Sequence, residues 1–374
     1  MFLALKELKF ARARFGLMGA VVALIAVLMV LLSGLSVGLV NDGVSGLQRL
    51  PATSFAFEKG VQHASAFSRS VVDTAAVRAW AERDGVEDAA PFGNVLVNGR
   101  SGDGVEIDLA LFGVEPGSYL SPAVAQGARL SGDAPAGIVV SKTAVDDGIK
   151  IGDTIKIARI GTELKVVGTL PDQHTYGHVD VAYVPLRTWQ EVHVGAGPGD
   201  EVPERAYREI TAVAVKGDSA DLAAGDRAAG TESLALADSF DASPGYSAET
   251  ATLQLIEVFL YAISALVVGA FFTVLTIQRK QEIAVMRAMG APTGYLLRDA
   301  LAQALILLAL AVGVGVAVGV GLGSLIGGTA PFALEAGAVA TAAALLVLLG
   351  VAGALGAVLR ITAVDPLTAL GGSR

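Results

Sequence analysis

The sequence predicts an α-helical membrane protein with four transmembrane helices and a mixed α+β extracellular domain inserted between helices 1 and 2. Composition is the first reason: of 374 residues, 53% are hydrophobic and only 17% are charged. The mean hydropathy is positive, at +0.59. Such values are typical of membrane proteins. The other two reasons are the lengths of the apolar runs and the distribution of charge.

Four runs contain the roughly 20 predominantly apolar residues that a spanning helix needs. They predict transmembrane helices at residues 15–40, 251–277, 300–327 and 336–359, with a short extracellular loop at 328–335. The first run follows a basic arm, as a secretory signal would. Its apolar core is longer than the usual ~7 to 15 residues, however, and no convincing small-x-small cleavage site follows it. We therefore interpret it as an uncleaved anchor.

Charge predicts the orientation, because Lys and Arg close to membrane ends stay in the cytoplasm. Segments 1–14, 278–299 and 360–374 together hold ten basic and four acidic residues, whereas residues 41–250 hold 17 basic and 30 acidic ones. We expect a multi-pass plasma-membrane protein with both termini cytoplasmic and the large domain extracellular. The acidic domain argues against a nucleic-acid partner. The absence of cysteine excludes disulfides and thiolate metal sites.

The extracellular domain, residues 41–250, shows strand and helix patterns between glycine-rich turns. Clusters of β-branched residues predict strands at 138–141, 154–158, 164–167 and 181–185. Helices are expected at 73–83 and 219–229, and from Ser247 onward into the second span.

Motifs for autonomous catalysis are missing from the sequence. It contains no convincing GxxxxGK[ST] phosphate loop, HExxH zinc motif or GxSxG elbow, so we predict a subunit that is not an enzyme. Gly315, Gly319 and Gly323 lie in an apolar helix, where small residues predict a close packing face.

His174 and His178 have the i,i+4 spacing that could chelate a metal on a helix. Pro171 and Gly177 argue against a helix there. We therefore expect a surface loop with two solvent-exposed histidines and no metal site.

Charged residues 278–299 interrupt the apolar runs on the predicted cytoplasmic side. A short amphipathic helix is expected from Gln281 to Met289, stopped by Gly290 with Pro292 just beyond. Its apolar side chains need a partner surface, for which a groove on a cytoplasmic protein is the simplest choice. A second amphipathic helix is expected at residues 1–14.

Several phrases resemble the MacB/FtsX-like permeases of ABC transporters. They are EIAVMRAMGA (282–291), VDPLTAL (364–370), GIKIGDT (148–154) and VAYVPL (181–186). This resemblance implies a homodimer whose inner loops act as coupling helices on a separate cytoplasmic ABC ATPase, which would bind ATP and Mg. The implied coupling residues are Glu282, Ile283, Met286, Arg287, Met289 and Gly290.

The single modest outer domain and the KELKFARARFG arm are similar to the haem-exporter permeases of Gram-positive bacteria. This likeness implies haem as the substrate, exported from the outer leaflet, with membrane lipid as a neighbour and no covalently bound cofactor. Two alternatives stay open. One is a MacB-like exporter of peptide, drug or lipoprotein, and the other is an FtsX-like mechanotransmitter that controls a cell-wall hydrolase.

Haem export requires groups able to bind an amphipathic iron porphyrin. Glu257 lies well inside the second span, where an acid is costly enough to suggest a function. Tyr261 is its i+4 neighbour, and Met29 lies at mid-depth in the first span. We expect Met29 or Glu257 to ligate the haem iron beside Tyr261, with Glu249 and Tyr246 at the mouth of the site.

Overall fold

A computed structural model describes residues 12–132, 137–278, 285–286, 289–290, 292–326 and 331–362. The chain divides into two compact units. The membrane unit comprises Met1–Gly38 and Ala251–Arg374, and the outer unit comprises Leu39–Thr250. Residues 1–11 of the predicted N-terminal helix lie outside the described residues. So do residues 363–374 of the predicted cytoplasmic tail.

Among the described residues, four helices are long and apolar enough to cross a membrane, as predicted. The first continues eight residues past the predicted span end at Val40, and the second begins at Tyr246, five residues before the predicted start. Both therefore supply residues to the outer unit. The described helices are α1 (Arg12–Gln48), α2 (Ala66–Arg69), α3 (Ala75–Ala81), α4 (Lys142–Asp146), α5 (Leu186–His193), α6 (Leu222–Ala229), α7 (Leu236–Ser239), α8 (Tyr246–Gln278), α9 (Thr293–Ile326) and α10 (Ala336–Thr362).

The outer unit mixes α and β structure, which confirms the predicted fold class. Its described strands are β1 (Ser54–Glu58), β2 (Val72–Asp73), β3 (Asp88–Ser101), β4 (Glu106–Val114), β5 (Gln126–Gly127), β6 (Gly137–Val140), β7 (Thr154–Ile157), β8 (Glu163–Thr169), β9 (Thr175–Tyr176), β10 (Val179–Pro185), β11 (Glu209–Ile210), β12 (Ala212–Lys216) and β13 (Thr231–Ala235). The four predicted strands correspond to β6, β7, β8 and β10.

Most of these strands belong to one sheet in the order β13-β1-β12-β3-β4-β10-β6-β8-β5. Strand β7 pairs with both β3 and β8, so β3, β4, β10, β6, β8 and β7 form a closed ring. The long strand β3 belongs to both parts: Asp88–Phe92 pairs with β12, while Gly99–Ser101 pairs with β7. The short strand β9 forms a hairpin with β10.

Two apolar cores cover opposite faces of this sheet. Successive strand residues alternate between faces, so Phe55 packs in one core and its neighbour Ala56 in the other. One core contains the fully buried Trp80 and Trp189. The other is an aromatic cluster that includes Phe55 and Tyr176, and it supports the β9–β10 hairpin.

The membrane unit packs α9 closely against α1. A Cβ added at Gly315 would meet the Ala23 carbonyl oxygen and the Ala26 side chain, and one added at Gly319 would meet Val30. Both glycines are therefore needed for the helices to approach at this distance. This agrees with the predicted packing face.

Candidate functional site

One face of α8 combines apolar and polar side chains inside the predicted membrane span. Leu253, Glu257, Tyr261, Ser264 and Val268 recur every three or four residues, so they share one side of the helix. Leu253, Ser264 and Val268 are buried, and Glu257 and Tyr261 are partly buried between them. Glu257 thus lies on the face that packs within the membrane unit.

Met29 of α1 is 2% exposed and belongs to the apolar cluster of the membrane unit, against which Tyr261 packs. The structure therefore brings these two predicted residues to one cluster. Within the described part of the chain, Glu257 makes no side-chain hydrogen bond or ion pair. The buried hydroxyl of Ser264 also has no hydrogen-bond partner there. Unpaired polar groups are costly in this setting and suggest a ligand.

The other two predicted haem-binding residues, Tyr246 and Glu249, belong to the outer unit. The Tyr246 ring lies 6.2 Å from that of Phe240, centroid to centroid. The Glu249 carboxylate lies 3.2 Å from Nε2 of His178. The five predicted residues are therefore divided between the two units, and Glu249 already has a partner.

His178 is the functional candidate that the sequence interpretation missed. It occupies the two-residue loop of the β9–β10 hairpin with Gly177, and both have positive φ, 64° and 56°. This is the backbone of a type I′ turn. Its Nδ1 lies 2.8 Å from a carboxylate oxygen of Asp42 on α1.

The expectation of two solvent-exposed histidines is wrong, most clearly for His174. Only 7% of His174 is exposed, and its ring contacts the backbone oxygen of Asp172 at 3.1 Å. Burial lowers the pKa of His174, because the charged form loses hydration. No group of three or more His, Asp or Glu residues in the described segments could hold a metal ion.

The predicted coupling segment is described only in part, because Glu282, Ile283 and Arg287 lie outside the described residues. Residues 285–286 are helical, and the Met289 amide donates to the Val285 carbonyl at 3.0 Å. Gly290 follows with φ 93°, the left-handed conformation that ends helices. Met289 is 76% exposed.

Two family models match most of the outer unit and most of the membrane helices. Residues 15–227, more than half of the chain, match the MacB-like periplasmic core domain. Residues 255–366 match the FtsX-like permease C-terminal domain. The chain belongs to the MacB/FtsX family of ABC transporter permeases. Membership confirms the resemblance found in the inner loop and implies an ATPase subunit as partner.

This MacB/FtsX permease is also similar along its whole length to curated proteins. A Staphylococcus haemolyticus protein named hemin transport system permease HrtB is 24% identical, over 100% of this chain and 99% of the relative. The Staphylococcus epidermidis protein of the same name is 23% identical over 100% of both chains. An uncharacterized ABC transporter permease of Mycobacterium tuberculosis is 23% identical, over 100% and 99%.

Two solved outer domains are more distantly similar to the permease. The extracellular domain of YknZ, a noncanonic ABC-type transporter from Gram-positive bacteria, is 14% identical, with 49% of this chain and 98% of that chain covered and a TM-score of 0.34. The periplasmic region of MacB from Actinobacillus actinomycetemcomitans is 11% identical, with 50% and 89% covered and a TM-score of 0.36.

Proposed function

We propose that this permease exports haem from the outer leaflet of the plasma membrane, as a homodimer driven by a separate cytoplasmic ATPase. The observation that carries the proposal is Glu257, a carboxylate inside a membrane helix with no partner among the described residues. Full-length likeness to permeases named for hemin transport supports the choice of substrate. The proposed orientation has both termini in the cytoplasm and the outer unit outside the cell.

The chemistry of the site suits an iron porphyrin. Haem presents a large apolar ring and an iron that accepts carboxylate, thioether or phenolate ligands. Glu257 and Tyr261 are partly exposed, so a ligand can reach them in this conformation. Met29 is almost fully buried, so its thioether can bind iron only after the apolar cluster opens. We therefore assign first contact to Glu257 and a later ligand to Met29.

Tyr246 and Glu249 stay as proposed haem contacts at the start of α8. Both are only partly buried, so their polar atoms are accessible. Glu249 would have to exchange its contact with His178 for one with haem. Exchange of one partner for another keeps the carboxylate from being left unpaired.

Residues 278–299 are proposed as the coupling helix for the ATPase. Val285 and Met289 are 54% and 76% exposed, and they follow the predicted inner end of α8 in the chain. Exposed apolar side chains on a short helix fit a hydrophobic groove of a partner. Movement of that partner during ATP hydrolysis would then reach α8 and α9 through the loop.

The haem proposal is tested by purifying the permease with its ATPase and titrating haemin. We expect a shifted Soret band and stimulated ATPase activity. Glu257→Gln should weaken haemin binding at least about tenfold and move the band, whereas Glu335→Gln, an acid outside the predicted spans, should do neither. Met29→Leu should change the band, and Met18→Leu, a buried methionine on the same helix, should not.

The same preparation separates the substrate from the coupling. Met289→Ser should lower the amount of co-purified ATPase and leave the Soret shift unchanged. Absence of both a Soret shift and ATPase stimulation would rule out haem as the substrate. Stimulation by a peptide or lipoprotein instead would favour a MacB-like exporter.

A further inference from the structure

The β9–β10 hairpin carries a histidine whose two ring nitrogens contact carboxylates on two different helices. Nδ1 of His178 lies 2.8 Å from Asp42 Oδ2 near the end of α1. Nε2 lies 3.2 Å from both carboxylate oxygens of Glu249 in the first turn of α8. One side chain therefore joins the ends of the two helices within the outer unit.

This arrangement needs a charged imidazole. Ionised carboxylates only accept hydrogen bonds, and a neutral imidazole has one N–H donor, whereas the imidazolium has two. Asp42 and Glu249 are the charged groups that face His178 from α1 and α8. Burial by itself lowers the pKa of His178, but the hydrogen bond to Asp42 and the charges of Glu249 and Asp42 outweigh it, so the pKa is raised.

The hairpin is fixed to α1 by further bonds. The Gly177 amide donates to the Gly43 carbonyl at 2.8 Å, and the Thr175 amide donates to the Ser45 hydroxyl at 3.0 Å. The Asp42 carboxylate also accepts a hydrogen bond from the side-chain amide of Gln173 at 3.2 Å. The hairpin and the end of α1 therefore form one hydrogen-bonded piece.

The contact with α8 is weaker than the contact with α1. The Glu249 side chain is 41% exposed and that of Asp42 is 24% exposed. The distance from His178 to Glu249 is also the longer of the two. A neutral His178 would keep its single proton on Nδ1, where the shorter and less hydrated bond to Asp42 is made. Its Nε2 lone pair would then face the Glu249 carboxylate and repel it.

We propose that His178 is a proton-operated clasp between α1 and α8, which holds Glu249 when charged and releases it when neutral. The clasp goes beyond haem export, because its contacts are made within the chain itself, although haem bound at Glu249 would compete with His178. A permease that moves α8 during its stroke would have to open this contact, and proton loss from His178 would make the opening easier. His178 is thus a positioning residue for the first turn of α8.

The pH range follows from the raised pKa. A histidine whose pKa rises on folding stabilises the folded state fully below its unfolded value of about 6.5. That contribution is lost as the pH rises through the folded value. The clasp should therefore be closed at pH 6 and open at pH 9.

The absence of cysteine from the chain makes a distance measurement straightforward. Spin labels at Gln48→Cys on α1 and Ser247→Cys on α8 occupy exposed positions in the outer unit. Pulsed electron-spin distances are measured on the full chain in nanodiscs, diluted with unlabelled chain to remove distances between copies. We expect a narrow distribution at pH 6, and loss of the narrow component at pH 9.

Two variants in the labelled chain sharpen the result. His178→Asn suits the positive φ of the turn but is too short to reach both helices, so the narrow component should be absent at both pH values. Glu249→Gln supplies an amide that can donate to the neutral Nε2, so the narrow component should persist at pH 9. His63→Gln is the control, because it removes another His–Glu contact of 2.8 Å, to Glu232, and should change nothing.

A distribution that is the same at pH 6 and pH 9 in the otherwise unsubstituted chain would overturn the clasp. So would a Glu249→Gln chain that keeps the pH dependence. Neither measurement contains haem, so failure of the clasp and failure of the haem proposal are separate outcomes.

Discussion

The helices α1 and α8 both continue from the membrane unit into the outer unit, but they are enclosed to very different degrees. Of the most apolar 18-residue stretch of each, 39% is buried in α1 and only 17% in α8. The stripe of α9 glycines covers α1, whereas α8 exposes Leu255, Val258, Phe259 and Leu266. α1 is therefore the more enclosed helix, and α8 has an exposed apolar face, which we propose for contact with lipid, substrate or a second copy.

The ends of α1 and α8 that lie in the outer unit also differ in how they are held. Besides the contact of Asp42 with His178, α1 is held there by uncharged hydrogen bonds, such as the buried contact of 2.8 Å between the hydroxyls of Ser45 and Thr175. α8 is held by the contact of Glu249 with His178, which is an ion pair only when His178 is protonated and is partly open to water. A hydrogen bond between uncharged groups does not respond to pH in this range, whereas a contact made by histidine does, because histidine titrates there. In our proposals, the acid that contacts the substrate and the pH-dependent contact are therefore both on α8.

The largest loss of stability should come from disrupting the packing of α9 against α1. Gly315→Leu would push a side chain into the Ala23 backbone and should lower the free energy of unfolding by about 3 kcal/mol. Gly313→Leu on the same helix is the matched control, because no atom lies within 4 Å of its added Cβ. Unfolding in detergent, followed by circular dichroism, measures both. Equal destabilisation by the two variants would contradict the close-packed description of α1.

A smaller loss of stability should come from removing a hydrogen bond at the end of α1 that lies in the outer unit. Ser45→Ala removes the hydroxyl that the buried Thr175 amide uses, which should cost about 2 kcal/mol. Ser247→Ala on the exposed first turn of α8 should change the unfolding free energy by less than about 0.5 kcal/mol. The same denaturation assay compares them. If the α8 variant is the more damaging one, the contrast between the two ends is wrong.

The smallest contribution to stability should come from the contact of His178 with Glu249 on α8. A double-mutant cycle with His178→Asn and Glu249→Ala should give a coupling of about 1 kcal/mol at pH 6, limited by partial exposure. The coupling should disappear as the pH rises through the raised pKa of His178. Denaturation at pH 6 and pH 9 measures it. A coupling that is unchanged at pH 9 would show that charge does not hold this contact.

Much of the fold was predictable because membrane spans and β-branched runs are local signals. The four spans and strands β6, β7, β8 and β10 follow from composition over short windows. Strands β3 and β12 were not predicted. Their pairing depends on residues more than a hundred positions apart, as in Ala212 with Phe92, and no local pattern reports such a partner.

The sequence predicted a candidate site residue only where placing that residue type in its surroundings costs free energy. An acid inside an apolar span identifies Glu257 from the sequence alone. His178 was missed because its partners, Asp42 and Glu249, are distant in sequence and carry no motif. The dipeptide Gly177–His178 between strand-forming residues was a signal for a two-residue hairpin turn, and it was weighed only as part of a metal chelate.

The position of β1 in the sheet also has a consequence for biogenesis. Ser54 of β1 pairs with Val215 of β12 on one side and with Ala235 of β13 on the other. At about 5 to 20 residues per second, a ribosome needs roughly 10 to 30 s to make the intervening chain. During that time the apolar strand Ser54–Glu58 is already synthesised but has neither partner. The nascent permease must therefore shield an aggregation-prone strand until nearly the whole outer unit has been translocated.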